Sequence, residues 1–209
     1  MSKKVAISQS NYIPWKGYFD MINLVDEFVL YDEVQYTTRD WRNRNRIKTP
    51  QGIKWLTIPV SSNHLDAIDE VKIADPEWNA KHWKTMCHVY KKAPFFDYYA
   101  NDFEQLYQHA DQQFLSDINH YFLSSINKLL GIETPISEST DYSSWGNRSE
   151  RLISICRQAG ADIYVSGPAA KVYLDVEMFE QAGISVEWMN YDGYPAYDNS
   201  MAILCMPFL

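Results

Sequence analysis

Five cations fall within ten residues: Arg39, Arg42, Arg44, Arg46 and Lys48, against one acid, Asp40. The chain has a formal net charge of −8, so this stretch carries +4 and the remainder −12. Read as an extended strand, residues 42–48 put Arg42, Arg44, Arg46 and Lys48 on one face. Asn43, Asn45 and Ile47 then lie on the other. A row of guanidinium forks suits a small polyanion such as a nucleotide diphosphate, gripped bidentately. The alternative is a solvated edge strand whose charges discourage aggregation. Asp32 stands a few residues earlier, where a strand should end, and is a candidate general base.

Three further segments carry chemistry. In Gln9–Phe19 (QSNYIPWKGYF), Gln9, Asn11 and Tyr12 offer directional hydrogen bonds and Trp15 a stacking face. Gly17 and a following helix start could receive a phosphate or carboxylate. The plain alternative is an aromatic plug at a sheet end. In Tyr164–Tyr173 (YVSGPAAKVY), Ser166 and the Gly167 backbone could cradle an oxyanion, with Lys171 as a point charge. Ser-Gly-Pro is equally good turn chemistry. In Tyr191–Tyr197 (YDGYPAY), Asp192 is a second candidate base, and the tyrosines suit a sugar- or base-sized pocket. Trp78, His82 and Trp83 read more simply as helix packing.

Other chemistries lack their signatures. There is no phosphate-loop Gly-x-x-x-x-Gly-Lys-Ser/Thr, no dinucleotide Gly-x-Gly-x-x-Gly and no Gly-x-Ser-x-Gly. The five histidines form no His-Glu-x-x-His and no i, i+4 couple, so no metal site is read. The cysteines, Cys87, Cys156 and Cys205, are odd in number and widely spaced, which fits a reducing compartment and small buried hydrophobes.

The elements that must position these segments follow from periodicity. Lys4–Gln9 reads as a buried strand, residues 18–25 as a helix and Glu27–Tyr31 as a second strand. That is the length of a βαβ unit, whose strands are parallel and whose ligands sit beyond the carboxyl ends. Residues 55–60 and 71–73 are further strand candidates. Three helical stripes follow, the first opened by Asp75-Pro76-Glu77 and the last closed by Gly131. The final third alternates helix, strand, helix, strand: 149–159, 162–165, 174–182 and 184–189. Residues 137–147 are the most loop-like. The expectation is one α/β domain over residues 1–209, with a mostly parallel Rossmann-like sheet and a helical layer or insertion at about 75–131.

The 209 residues, with 46% hydrophobic and 22% charged, describe a globular chain, not a disordered one. Aromatic content, 15%, is high enough both to fill a core and to line a cleft. The acidic balance argues against nucleic acid as partner. No run has the length of a signal peptide core or a membrane span, so a cytoplasmic location is expected.

Taken in order, the segments resemble the WbqC-like protein family over nearly the whole chain. The matching stretches are QSNYIPWKGYF, YDEVQY, WRNRNRIK, YKKAPFFDYY, ERLISICRQAGADIYVSGPAAKVYL and YDGYPAY. The resemblance carries over Gln9, Tyr12, Pro14, Trp15, Gly17, Asp32, Gln35, Trp41, Arg44, Asn45, Lys48, Ser166, Gly167, Lys171 and Tyr173 as motif residues. It implies bacterial surface-polysaccharide (O-antigen) biosynthesis, and transfer of an acyl or aminoacyl group to a nucleotide-linked amino sugar. The pattern departs at the end: Asp198 follows Tyr197 where a Gln is usual, and the closing tail is shorter.

The function expected is amide formation on a nucleotide-linked amino sugar. Arg44 to Lys48, helped by Lys171 and the Ser166–Gly167 turn, would hold the diphosphate, and Asp32 or Asp192 would take the amine proton. ATP and Mg²⁺ enter if the donor is activated as an adenylate. A non-catalytic nucleotide- or sugar-binding module in an assembly complex is the alternative, and an oligomer is compatible with either.

Overall fold

The structure, a computed structural model, describes residues 2–194. Tyr197, Asp198, Cys205 and the chain end lie outside the described residues. In chain order the elements are β1 (Lys4–Ser8), α1 (Lys16–Leu24), β2 (Glu27–Leu30), β3 (Arg44–Thr49), β4 (Gly52–Thr57), β5 (Val60–Ser61), β6 (Lys72–Ile73), α2 (Trp78–Tyr90), α3 (Phe96–Gln108), α4 (Leu115–Leu130), β7 (Ile136–Glu138), α5 (Arg148–Gln158), β8 (Ile163–Ser166), α6 (Val176–Gln181) and β9 (Ser185–Trp188). They group into two compact units. Residues 2–9, 17–33 and 127–194 form the first; residues 10–16 and 34–126 belong to the second.

The first unit is a parallel α/β layer. Its five strands run β7-β2-β1-β8-β9, and every neighbouring pair is parallel. The chain steps outward from β1 to β2 and β7, then returns to the far side of β1 for β8 and β9. The order therefore reverses between β1 and β8, and an open α/β sheet of this kind receives ligands beyond the carboxyl ends at that point. Alternation along the strands separates the two faces. Val5, Ile7 and Val29 pack with Leu152, Ile155 and Cys156 of α5 and Phe179 of α6. On β2, Phe28 meets Tyr18 of α1, ring centroids 5.2 Å apart.

Local chemistry sets the helix ends. Asn147 accepts from the N–H groups of Ser149 and Glu150 and opens α5. Gly160, at φ 68°, closes it. Cys156 is buried, and burial pushes its thiol up to about 12.

Two expectations are revised. Residues 136–138, the last two of which open the stretch read as a loop, pair with β2 as an edge strand. Three residues with two polar side chains carry no apolar alternation, so the strand had no sequence signal. Glu27 at the start of β2 anchors this edge by accepting from Ser137 and Tyr142. The first central helix begins at Trp78, two residues after Pro76, with Glu77 as its cap residue, while Asp75 accepts the Glu77 N–H just ahead of it.

The second unit holds α2, α3, most of α4 and two antiparallel pairs, β3–β4 and β5–β6. Trp78, Tyr107 and Phe122 are all buried there. The strand expected at 55–60 enters a tight hairpin with β3, turned at Pro50-Gln51, where Gly52 takes φ 113°.

Candidate functional site

In the second unit the hairpin register decides which side chains meet. Arg44 faces Thr57, Arg46 faces Trp55 and Lys48 faces Ile53. Directly opposed residues share a face, so Arg44, Arg46, Lys48 and Trp55 lie on one side. Asn45, Ile47 and Leu56 lie on the other and are buried. The Arg44 guanidinium carbon stands 4.1 Å from the Trp55 ring centroid. That of Arg46 lies 5.2 Å from Trp41 and 5.5 Å from Trp55. The two indoles are 5.3 Å apart and remain 36% and 40% exposed. Each cation–π contact stabilises by about 0.5–1 kcal/mol at such a site and orients a planar fork. Among the described residues no carboxylate lies within 4.0 Å of Arg44, Arg46 or Lys48. The face is cationic, aromatic and pre-ordered.

Arg42 precedes this face and serves the fold. Its guanidinium donates to the Ser10 carbonyl and to Asn11 Oδ1, and lies 3.8 Å from Asp40. Burial pushes the Asp40 carboxyl up, but the Thr37 hydroxyl, the Trp41 N–H, Arg42 and Arg44 outweigh it and hold it below the usual range. Asn45 is likewise engaged. Its amide donates to the carbonyls of Tyr12 and Ile13, and its oxygen accepts from the Arg46 N–H. These bonds clamp a strained turn, since Ile13 sits at φ 45°. Gln35 donates to the His64 carbonyl at 2.8 Å. Trp15 is half-buried.

Tyr12, expected as a ligand contact, is 1% exposed. Its hydroxyl lies between Tyr107 Oη at 2.7 Å and His82 Nδ1 at 2.9 Å. His82 Nε2 is 3.1 Å from the Thr57 carbonyl, which can only accept, so Nε2 carries the proton and Nδ1 is an acceptor. The bonds therefore run Tyr107 to Tyr12 to His82 to Thr57. Burial holds the His82 imidazole down at about 4, consistent with this neutral tautomer. It raises the Tyr12 and Tyr107 hydroxyls well above their ordinary range.

The first unit gathers Gln9, Gly17, Asp32, Ser166, Gly167, Lys171, Tyr173 and Asp192. Gln9 follows β1, and its carbonyl accepts from Tyr18 at 2.9 Å. Gly17 is buried in the first turn of α1. Asp32 follows β2 and is 6% exposed. Ser166 ends β8. Lys171 is exposed, with Nζ 5.6 Å from the Trp188 ring centroid, and Tyr173 is 53% exposed. Asp192 follows β9. The ends of β2 and β9 are three strand spacings apart, about 14 Å, and beyond β9 the chain turns back so that Tyr194, two residues after Asp192, donates to the Asp20 carboxylate of α1. Asp32 and Asp192 thus follow β2 and β9, each one strand removed from the reversal point between β1 and β8.

Trp55 and Arg148 had no assigned role in the sequence. Trp55 could have been found by pairing residues 44–49 with 52–57 across the two-residue turn. Among the described residues, no group of three or more His, Cys, Asp or Glu is arranged to hold a metal ion. No helix there is long and apolar enough to cross a membrane.

The fold and these two sets of residues define an α/β protein with a Rossmann-like parallel sheet and a second, helix-rich unit bearing a cationic hairpin. The chain belongs to the WbqC-like protein family, whose model matches residues 9–202. It is also similar to an uncharacterized protein of Mycobacterium tuberculosis (strain ATCC 25618 / H37Rv), Rv1507c, at 46% identity over 197 residues. That match covers 93% of this chain and 85% of the relative. No solved structure gives a significant match.

Proposed function

We propose that the protein transfers an acyl or aminoacyl group to a nucleotide-linked amino sugar in surface-polysaccharide biosynthesis. The observation that carries this reading is the Arg44–Trp55–Arg46–Trp41 face. Its guanidinium forks are held by indoles, and in Arg44 also by the Arg39 carbonyl, but not by carboxylates, which suits a diphosphate beside a stacking ring. Lys48 adds a flexible charge at the rim. In the reaction, the neutral amine of the sugar attacks the activated carbonyl carbon. The C–N bond forms, the bond to the leaving group breaks, and the amine proton passes to a base. The resemblance of the motifs supplies the reaction class; the hairpin face supplies the ligand class.

A non-catalytic binding module is the second reading. The engagement of Arg42, Asn45 and Tyr12 inside the second unit favours it, since it leaves fewer polar side chains for catalysis. Calorimetry with UDP- and dTDP-amino sugars tests the shared part, with and without ATP and Mg²⁺. Binding at micromolar to millimolar concentration is expected, and no heat with any of them sinks both readings. Mass spectrometry of the sugar after incubation with an acyl donor then separates transfer from binding.

A further inference from the structure

The carboxyl edge of the sheet holds Gly167 and Lys171, expected from the sequence as helpers of the hairpin cations, together with Arg148, which had no role assigned there. Gly167 follows β8 at φ −70° and ψ 151°, a conformation open to any residue. A Cβ built there would meet only the Tyr191 hydroxyl, at 3.8 Å, an ordinary contact. Neither backbone strain nor packing requires a glycine. The Gly167 N–H also donates to no acceptor among the described residues. What the missing side chain leaves is a backbone donor that a ligand can approach closely, beside the β1–β8 reversal point.

Two cations stand at the same edge. Arg148 opens α5, and its guanidinium carbon lies 4.7 Å from the ring centroid of Tyr173. Lys171 reaches over Trp188. Neither has a carboxylate within 4.0 Å among the described residues. Three acids close to these segments in sequence each accept a backbone N–H. Glu150 accepts from Asn147, Asp141 from Glu138 and Asp175 from Met178. The start of α5 does not supply the seat, because Asn147 already occupies its N–H groups.

We infer that the end of β8 is a second anion seat, in which the Gly167 N–H, Lys171 and Arg148 bind the phosphate of a small phosphorylated molecule. The seat belongs wholly to the first unit and does not rest on the hairpin face of the second. Calorimetric titration of the full chain with inorganic pyrophosphate tests it. An Arg44→Gln/Arg46→Gln variant is expected to keep one binding event, and adding Arg148→Gln or Lys171→Gln should weaken that event by about tenfold. Gly167→Ala has room for its methyl group, so its melting temperature should match the parent while pyrophosphate binding falls. Loss of all binding in the Arg44/Arg46 variant overturns the second seat, as does affinity within twofold of the parent in Arg148→Gln, Lys171→Gln and Gly167→Ala. Failure of the hairpin reading looks different: the Arg44/Arg46 variant then binds like wild type.

Discussion

The Tyr12 hydroxyl donates to His82 Nδ1 across 2.9 Å, joining the turn after β1 to helix α2 inside the second unit. Tyr12 is fixed at both ends. Its N–H donates to the Trp41 carbonyl, and its own carbonyl accepts from Asn45. One of the residues read as a ligand contact thus helps to hold residues 10–16 in place.

The burial of His82 sets a pH dependence. The imidazole titrates at 6.5 when free and at about 4 in the fold, because burial opposes its charged form. Above 6.5 both states are neutral and stability is complete. Between those values only the unfolded chain takes up the proton, so stability falls as pH drops, by roughly 3 kcal/mol in all. Below the folded value no more is lost. Urea unfolding should show this slope in wild type and a flatter one in His82→Gln between pH 6.5 and 4.5.

Removing the middle of the chain should cost more than removing its end. Tyr12→Phe leaves both the Tyr107 hydroxyl and His82 Nδ1 buried without partners, a loss of about 2–4 kcal/mol. Tyr107→Phe removes a donor and leaves Tyr12 still bonded to His82, a loss of about 1 kcal/mol. Equal losses in urea midpoints would contradict the directional chain.

The hairpin face should read its ligand through its own fluorescence. A bound nucleotide is expected to change Trp41 and Trp55 emission. Arg46→Lys should weaken UDP by about tenfold, since an ammonium replaces neither the fork nor its stacking. Affinity should also fall as salt rises. An Arg46→Lys variant that binds like wild type removes the bidentate grip.

Glu27 secures the sheet edge. Burial raises its carboxyl, but hydrogen bonds from Lys3, Tyr142 and Ser137 prevail and lower it below the ordinary value. Its contribution is present above that value and lost as pH falls through the lower one. Glu27→Gln should speed amide hydrogen exchange in β7 and leave β8 and β9 unchanged.

The parallel pairs were legible because buried strands and amphipathic helices alternate at fixed lengths. Val5 and Val29 announce strands, and Leu152, Ile155 and Cys156 announce the helix face that covers them. The edge strand at 136–138 was not legible, because its one-sided pairing needs no apolar pattern. The cationic face was half legible. Alternation placed Arg44, Arg46 and Lys48 together, but Trp55 joined them only through the hairpin register.

The amino-acid order alone determined the local periods, the helix stops and the one basic segment of an acidic chain, because each depends on neighbours a few residues apart. Tertiary structure decided which polar side chains remain available. Arg42, Asn45 and Tyr12 carry the same donors and acceptors as any surface residue. Only the packing of distant segments, which brings His82, Tyr107 and Ser10 against them, turns those groups inward and leaves Arg44, Arg46 and Lys48 facing out.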